Sequence, residues 1–439
     1  MDTDITTLND LSIFQHEEEN SIFHKLNFTR TTGGREKLRS IFSRSLPSLE
    51  AIRDTQQTLK AVAAKSGSWP KKISNGSILM IHKYYESTVD QIPPKPSAIS
   101  AYLYKIFHAP DYSLVKYSSG HAYDFIKGMQ HMVETFSGTD TPSNLKLLLE
   151  KATVLMEKYQ LRIVESTEKF DDMGLADMLN LAHFFRYHYK DQLMDLIEVY
   201  YQLDAWYSMA TAATELGLVY PEMVTTERPS LSATGLFHIL LQDPVAYDIG
   251  LDHEHNFIFL TGANMAGKST FIKAVGCAVF LAHIGMAVPA KSMTLSLFDG
   301  LLSNINVVDN LLKGESYFYN EVQRIKNTIL KINDGRTWLI LIDELFKGTN
   351  VQDAMKCSAV VIEGLLKMKN CLFILSTHLY EIGESLKQFS NIEFKYFETT
   401  VENEQLTFSY RLKEGISNDR LGYLILKREH VLEMLDGLG

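Results

Sequence analysis

Cysteine is scarce in this chain and long apolar runs are missing, and both absences narrow what it can be. The three cysteines, Cys277, Cys357 and Cys371, are odd in number and lie apart among apolar neighbours. They offer neither a disulfide framework nor a metal-ligand spacing, and read as reduced core residues of a cytoplasmic protein. No apolar stretch reaches the roughly 20 residues that cross a bilayer, so no membrane partner is expected. The start, Met-Asp-Thr-Asp, lacks the basic and apolar regions of a signal peptide. Fixed-period repeats and low-complexity tracts are also missing, which excludes solenoid architectures. An overall positive charge is absent too: the net charge of −10 argues against a protein that coats nucleic acid. What remains is a chain of 439 residues, 45% hydrophobic and 22% charged, long enough for two or three folded domains.

Charge and helix-breaking residues are unevenly spread. From His24 to Lys83 there are 12 Lys/Arg against 3 Asp/Glu. A basic segment on an acidic body is either a footprint for phosphate backbones or a solvated helical surface. Ser143–Met173 and Leu175–Leu216 lack both glycine and proline. As one helix the second would span about 60 Å, with Leu179, Phe184, Leu193, Leu196, Ile197, Tyr200, Leu203 and Trp206 on its buried stripe. Only Phe170–Gly174 separates the two, so an antiparallel helical arm is expected. Shorter helical patterns precede it, at 34–43 and 49–64. After residue 216, linker-like Gly217, Pro221 and Pro229 lead to short apolar runs at 257–260, 338–342 and 371–375, alternating with helical patterns. That alternation predicts a parallel sheet covered by helices. The expected division is a helical domain over 1–225 and an α/β domain over 226–439.

Gly262-Ala263-Asn264-Met265-Ala266-Gly267-Lys268-Ser269 fits G-x-x-x-x-G-K-[ST] at every fixed position. A strand-like run precedes it, and Thr270 opens a plausible helix. Glycines let backbone N–H groups turn inward around a phosphate, and the helix N-terminus adds partial positive charge. Lys268 is placed to reach the outer phosphates, and the Ser269 hydroxyl to ligate Mg²⁺. The apolar run from Trp338 ends in Asp343 and Glu344. Asp343 suits the magnesium shell, which leaves Glu344 to orient or deprotonate water. A third run ends in Ser376-Thr377-His378, whose histidine either senses the γ-phosphate, positions water, or is a hydrogen-bonded strand-end residue.

In this order the motifs resemble the MutS DNA mismatch-repair ATPases. Thr261–Thr270 is similar to that family's TGPNMxGKST, with Ala263 in place of proline. Leu341–Thr349 resembles LLDExxxGT, with Phe346-Lys347 where Gly-Arg is commoner, and Ser376-Thr377-His378 resembles the (A/S)TH switch. Asp309–Leu311 and Gly314–Phe318 resemble the D-(D/N)-(L/I)…G-x-S-T-F segment. Leu203–Ala210 is similar to the LDxxxSxA stretch that leads from the family's arm into its ATPase, and Phe28–Leu38 to the start of its helical core. The resemblance implies an ABC-type P-loop ATPase domain behind an all-α core and lever domain. It also implies ATP over GTP, a homodimer closing through the ATPase domains, and a contact from Ser316 to the partner's γ-phosphate. Read from physics alone, Ser316 serves equally as a helix N-cap.

Departures from the family matter as well. Nothing matches the N-terminal mismatch-reading domain or its wedge, the break at 170–174 leaves no room for a DNA clamp, and no nuclease tail follows. The tail Gly415–Gly422 keeps the glycines of the family's G…SYG run without its aromatic, and 424–435 reads as a closing helix. The expectation is a shortened MutS-like, Mg-dependent ATPase that grips DNA through backbone contacts. The alternative is a nucleotide-gated module that grips a protein partner and leaves DNA alone. A P-loop kinase is disfavoured by the Asp343-Glu344 pair and by the lack of an Arg-rich lid.

Overall fold

The computed structural model describes residues 1–305, 317–402, 405–417 and Met434. The chain divides into two compact units, one of Leu26–Ser43 and Asp54–Glu215, the other of Met1–Lys25, Arg44–Arg53 and Leu216–Gly439. Among the described residues, no helix is long and apolar enough to cross a membrane.

The Leu26–Glu215 unit is built of helices and 3-10 turns, with no strand among its described residues. Its longest helix, Ala109–Phe136, falls where the sequence suggests only short segments, and it contains Gly120 and Gly128. Gly128 earns its place by packing: a Cβ there would lie 2.9 Å from Ile73. Neither of the two segments that lack glycine and proline forms one continuous helix. In the first, the helix Ser143–Met156 stops after 14 residues, and 159–172 follows as 3-10 turns around the short helix Arg162–Ser166. Leu161, Val164 and Phe170 are buried, and this stretch is held in place from the Ala109–Phe136 helix. Lys127 Nζ donates to the carbonyls of Val164, Glu165 and Thr167, and the Tyr123 hydroxyl donates to Thr167 O at 2.6 Å. Those carbonyls thereby find partners outside a helix. The second segment breaks at Tyr189 (φ −130°, ψ 8°) into Leu175–His188 and Lys190–Glu215. Tyr189 is fully buried, stacks on Phe184 and donates to Leu155 O. Lack of glycine and proline permits a continuous helix, but burying this ring overrides it.

The other unit holds two sheets. Its strands are β1 Asp2–Thr3, β2 Glu222–Val224, β3 Leu231–Leu236, β4 Tyr247–Leu251, β5 Phe257–Thr261, β6 Ser292–Ser296, β7 Gly300–Asn304, β8 Trp338–Asp343, β9 Cys371–Ser376, β10 Ile392–Glu402 and β11 Gln405–Glu414. The larger sheet runs β1-β7-β8-β9-β5-β10-β11, parallel throughout except for the final hairpin. The smaller runs β2-β6-β3-β4. Strands β5 and β9 are buried along their whole length, and β8 everywhere but at Asp343, as expected of parallel strands covered on both faces. The parallel sheet agrees with expectation; the smaller sheet and the β10–β11 hairpin had no counterpart in the sequence reading.

The compact units also differ from the expected 1–225 and 226–439. The first 25 residues pack with the sheet: β1 adds to the edge of β7, Thr7 Oγ1 accepts the Ser303 N–H at 2.9 Å, and the Asp10 carboxylate accepts from Ser303 Oγ and the Ile305 N–H. These partners stand almost 300 positions away in sequence, so no local pattern announces them. The segments Asp309–Leu311 and Gly314–Ser316, and the helix expected over 424–435, lie outside the described residues apart from Met434.

Candidate nucleotide site

Register brings three strand ends together: Leu260 of β5 pairs with Ser376 of β9, and Ser376 with Asp343 of β8. In a parallel sheet this places everything that follows those strands on one edge, where ligands of such sheets bind.

The loop after β5 turns on backbone conformations that suit glycine. Gly262 has φ +143° and Gly267 φ +111°, and a Cβ on Gly262 would lie 3.2 Å from the Phe397 carbonyl oxygen. Met265 takes φ +66° without that freedom and leaves its side chain exposed. The Lys268–His283 helix starts directly after Gly267. Lys268 is buried, and its Nζ donates to Gly262 O at 2.7 Å and Ala263 O at 2.9 Å. Burial lowers its pKa to about 8, with the Asp343 carboxylate opposing and Lys347 adding to the shift. The ammonium is thus folded back onto its own loop, within reach of any anion that the loop admits.

Asp343 is held between two hydroxyls: Ser269 Oγ donates to one carboxylate oxygen and Ser376 Oγ to the other. An alcohol oxygen and a carboxylate oxygen in direct contact form a hard, all-oxygen donor pair of the kind magnesium takes. Glu344 has φ +69°, a conformation uncommon for a residue with a side chain, and its N–H donates to Ser376 O at 3.0 Å. Its carboxylate meets His378 Nδ1 on one oxygen and Lys347 Nζ, at 2.9 Å, on the other. Burial and the nearby Lys268 charge lower the His378 pKa, against an opposing pull from Glu381. A proton on His378 Nδ1, which the neutral ring or the imidazolium can carry, is what the Glu344 carboxylate accepts.

A cleft of about 670 Å³ opens over these groups. Ala263, Asn264, Met265, Gly267, Lys268, Ser269, Thr270, Asp343, Glu344 and Lys347 form its polar wall, and Leu241, Val245, Tyr247 and Tyr410 contribute apolar and aromatic surface. Gly262 takes part through its carbonyl, and Ala266 is buried beneath the loop. His378 reaches the site through Glu344. Ser316 lies outside the described residues. Three participants escaped sequence reasoning: Ser376 as partner of Asp343, Lys347 as partner of Glu344, and Tyr410 beside the loop. The Ser376-Thr377-His378 run hinted at the first and the three-residue spacing from Glu344 at the second; the third had no signal short of the fold.

Residues 258–431 match the family model MutS domain V. The DNA mismatch repair protein MutS of Thermotoga maritima is 27% identical over 276 residues, covering 62% of this chain and 34% of that protein. That of Pseudothermotoga lettingae is 30% identical over 232 residues, 52% of this chain and 28% of that protein. That of Listeria monocytogenes is 29% identical over 221 residues, 48% and 25% respectively. The match with the Thermotoga maritima protein thus spans about a third of its length.

Proposed function

We propose that this MutS-like chain, which carries a MutS domain V, binds ATP with Mg²⁺ and hydrolyses it. The observation that supports this best is the meeting of Lys268, the Ser269–Asp343 pair and Glu344 in one cleft. Lys268 exchanges its two loop carbonyls for oxygens of the outer phosphates, so binding replaces neutral acceptors by charged ones. Ser269 and Asp343 would hold Mg²⁺, which supplies charge neutralisation at the phosphates when bound. Ser376 keeps the Asp343 carboxylate turned toward Ser269. Glu344 accepts the proton of the attacking water, and His378 holds that carboxylate in orientation through Nδ1–H. The nucleobase lies on the Val245–Tyr410 side, where apolar and aromatic surface is available.

The wider reading rests on the relatives, whose names identify DNA mismatch repair proteins. The chain acts as a homodimer closed by nucleotide, with Ser316 contacting the partner's γ-phosphate, and DNA is held through backbone contacts by the basic His24–Lys83 segment. The unit of Leu26–Ser43 and Asp54–Glu215 supplies the helical core, and the sheet unit, which includes Met1–Lys25 and Arg44–Arg53, supplies the ATPase. A nucleotide-gated protein grip without DNA is the competing class, favoured by the net charge of −10.

The deciding experiment measures phosphate release with and without duplex, mismatched, branched and single-stranded DNA across a salt series. Stimulation that fades steeply with salt supports backbone binding. Absence of DNA affinity at low salt removes the DNA half, and absence of Mg-dependent phosphate release removes the ATPase. Mixing Ser316→Ala with Lys268→Ala subunits tests the shared site: partial activity, which neither parent shows, is expected from heterodimers.

A further inference from the structure

Glu321, in the Tyr317–Ile332 helix, is a buried carboxylate, 4% exposed. Both of its oxygens go to backbone: Oε1 accepts the Lys347 N–H at 3.0 Å and Oε2 the Gly348 N–H at 3.1 Å. Burying a carboxylate is costly unless charge-assisted bonds of this kind compensate. Three residues earlier, Phe318 packs on Phe346 with ring centroids 5.7 Å apart. The stretch so gripped, 346–348, directly follows Glu344 and carries Lys347, whose Nζ reaches back to the Glu344 carboxylate. Glu344 and Phe346 both have positive φ, at +69° and +59°. Residues with side chains hold that backbone only where their surroundings enforce it. The fork on Glu321 and the Phe318–Phe346 contact are the enforcing elements on this side of the loop.

We propose that Glu321 is a positioning residue that ties the loop after β8, and through it Glu344, to the start of the Tyr317–Ile332 helix. The fork thereby joins the N-terminal part of that helix to the residues that follow Glu344. The proposal rests on the reading of Glu344 as the base for hydrolysis. It adds a route by which the chemical step responds to events at the helix start.

The test uses the full chain as wild type, Glu321→Gln, Glu344→Gln and the double variant. Glu321→Gln keeps the side-chain shape and replaces one accepting oxygen by an NH₂ group, which preserves the fold while breaking the fork. Amide exchange at Lys347 and Gly348 is expected to quicken about tenfold or more, with β8 still protected. The kcat is expected to fall by up to about a hundredfold through misplacement alone, with ATP affinity changed less than about threefold. The double variant should be no slower than Glu344→Gln, because Glu321 acts through Glu344. Unchanged exchange at the two amides, or losses that multiply in the double variant, would overturn the proposal. So would a weakened ATP affinity at unchanged kcat. If Glu344→Gln itself hydrolyses normally, the base assignment fails. The exchange arm then still decides whether Glu321 holds the loop.

Discussion

Two sets of carboxylates, one in each compact unit, solve the same physical problem in opposite ways. Asp204, in the Lys190–Glu215 helix, is fully buried. It accepts from the backbone N–H groups of Arg30 and Thr31 and from Thr31 Oγ1, while Thr31 Oγ1 in turn caps the next helix by accepting from the Gly34 N–H. Gly34 is needed there, since a Cβ would lie 2.1 Å from the Asp204 carboxylate. Asp343 and Glu344 are only partly buried, and their carboxylates are held by side chains: two serine hydroxyls, an imidazole and an ammonium. Backbone donors cannot leave without unfolding, whereas side-chain donors rotate away when a ligand arrives. A carboxylate closed by backbone is architecture, and one closed by side chains is available for chemistry. Glu321, saturated by two amides, belongs with Asp204 in this respect.

The sharpest way to break this comparison is at Glu344. Glu344→Gln should slow phosphate release by about a thousandfold while ATP still binds, because the charge matters in the chemical step; an unchanged rate removes the distinction drawn here. Next in size, Asp204→Ala should lower unfolding free energy by about 3 kcal/mol, since the Arg30 and Thr31 amides lose a charged acceptor. Urea denaturation measures it, and a loss well under 1 kcal/mol would mean that those amides find water instead. Lys268→Ala should weaken ATP binding by about a hundredfold with the unliganded fold intact, read by titration calorimetry.

The smallest effect concerns pH. The Lys268 pKa in the folded chain, about 8, lies below the ordinary value of 10.5. Between these limits the unfolded chain binds the extra proton, so stability rises with pH across that window, and the penalty is fully present below it. Relative to Lys268→Met, the unliganded wild type should therefore gain roughly 2 kcal/mol from pH 8 to 10.5. ATP affinity should fall over the same range as the ammonium deprotonates. A wild-type-minus-variant difference that stays flat with pH contradicts the burial of this group.

Legibility from sequence follows the distance over which each feature is decided. The phosphate loop was readable because eight adjacent residues set its turn, its glycine conformations and the start of its helix. The acids at 343 and 344 were readable because an apolar strand must end somewhere, and charge marks the end. Helix continuity was not, since Tyr189 breaks a stretch that contains no breaker, and the longest helix runs through two glycines. Ser376 and Tyr410 become neighbours of the loop only through strand order, which puts β9 on one side of β5 and β10, with β11 beyond it, on the other.

By itself the sequence determined a glycine-bearing turn between a strand and a helix, a strand carrying two acids, a parallel sheet behind them and a helical region before them. These follow from interactions among residues a few positions apart, where spacing dictates geometry. Tertiary structure alone decided that residues 1–25 would complete the sheet unit, that Ser376 would hold Asp343, and that Glu321 would brace the loop between the two acids and the helix at 317. Each of these joins groups that backbone conformation leaves independent until the strands are ordered, and no short-range rule reaches that far.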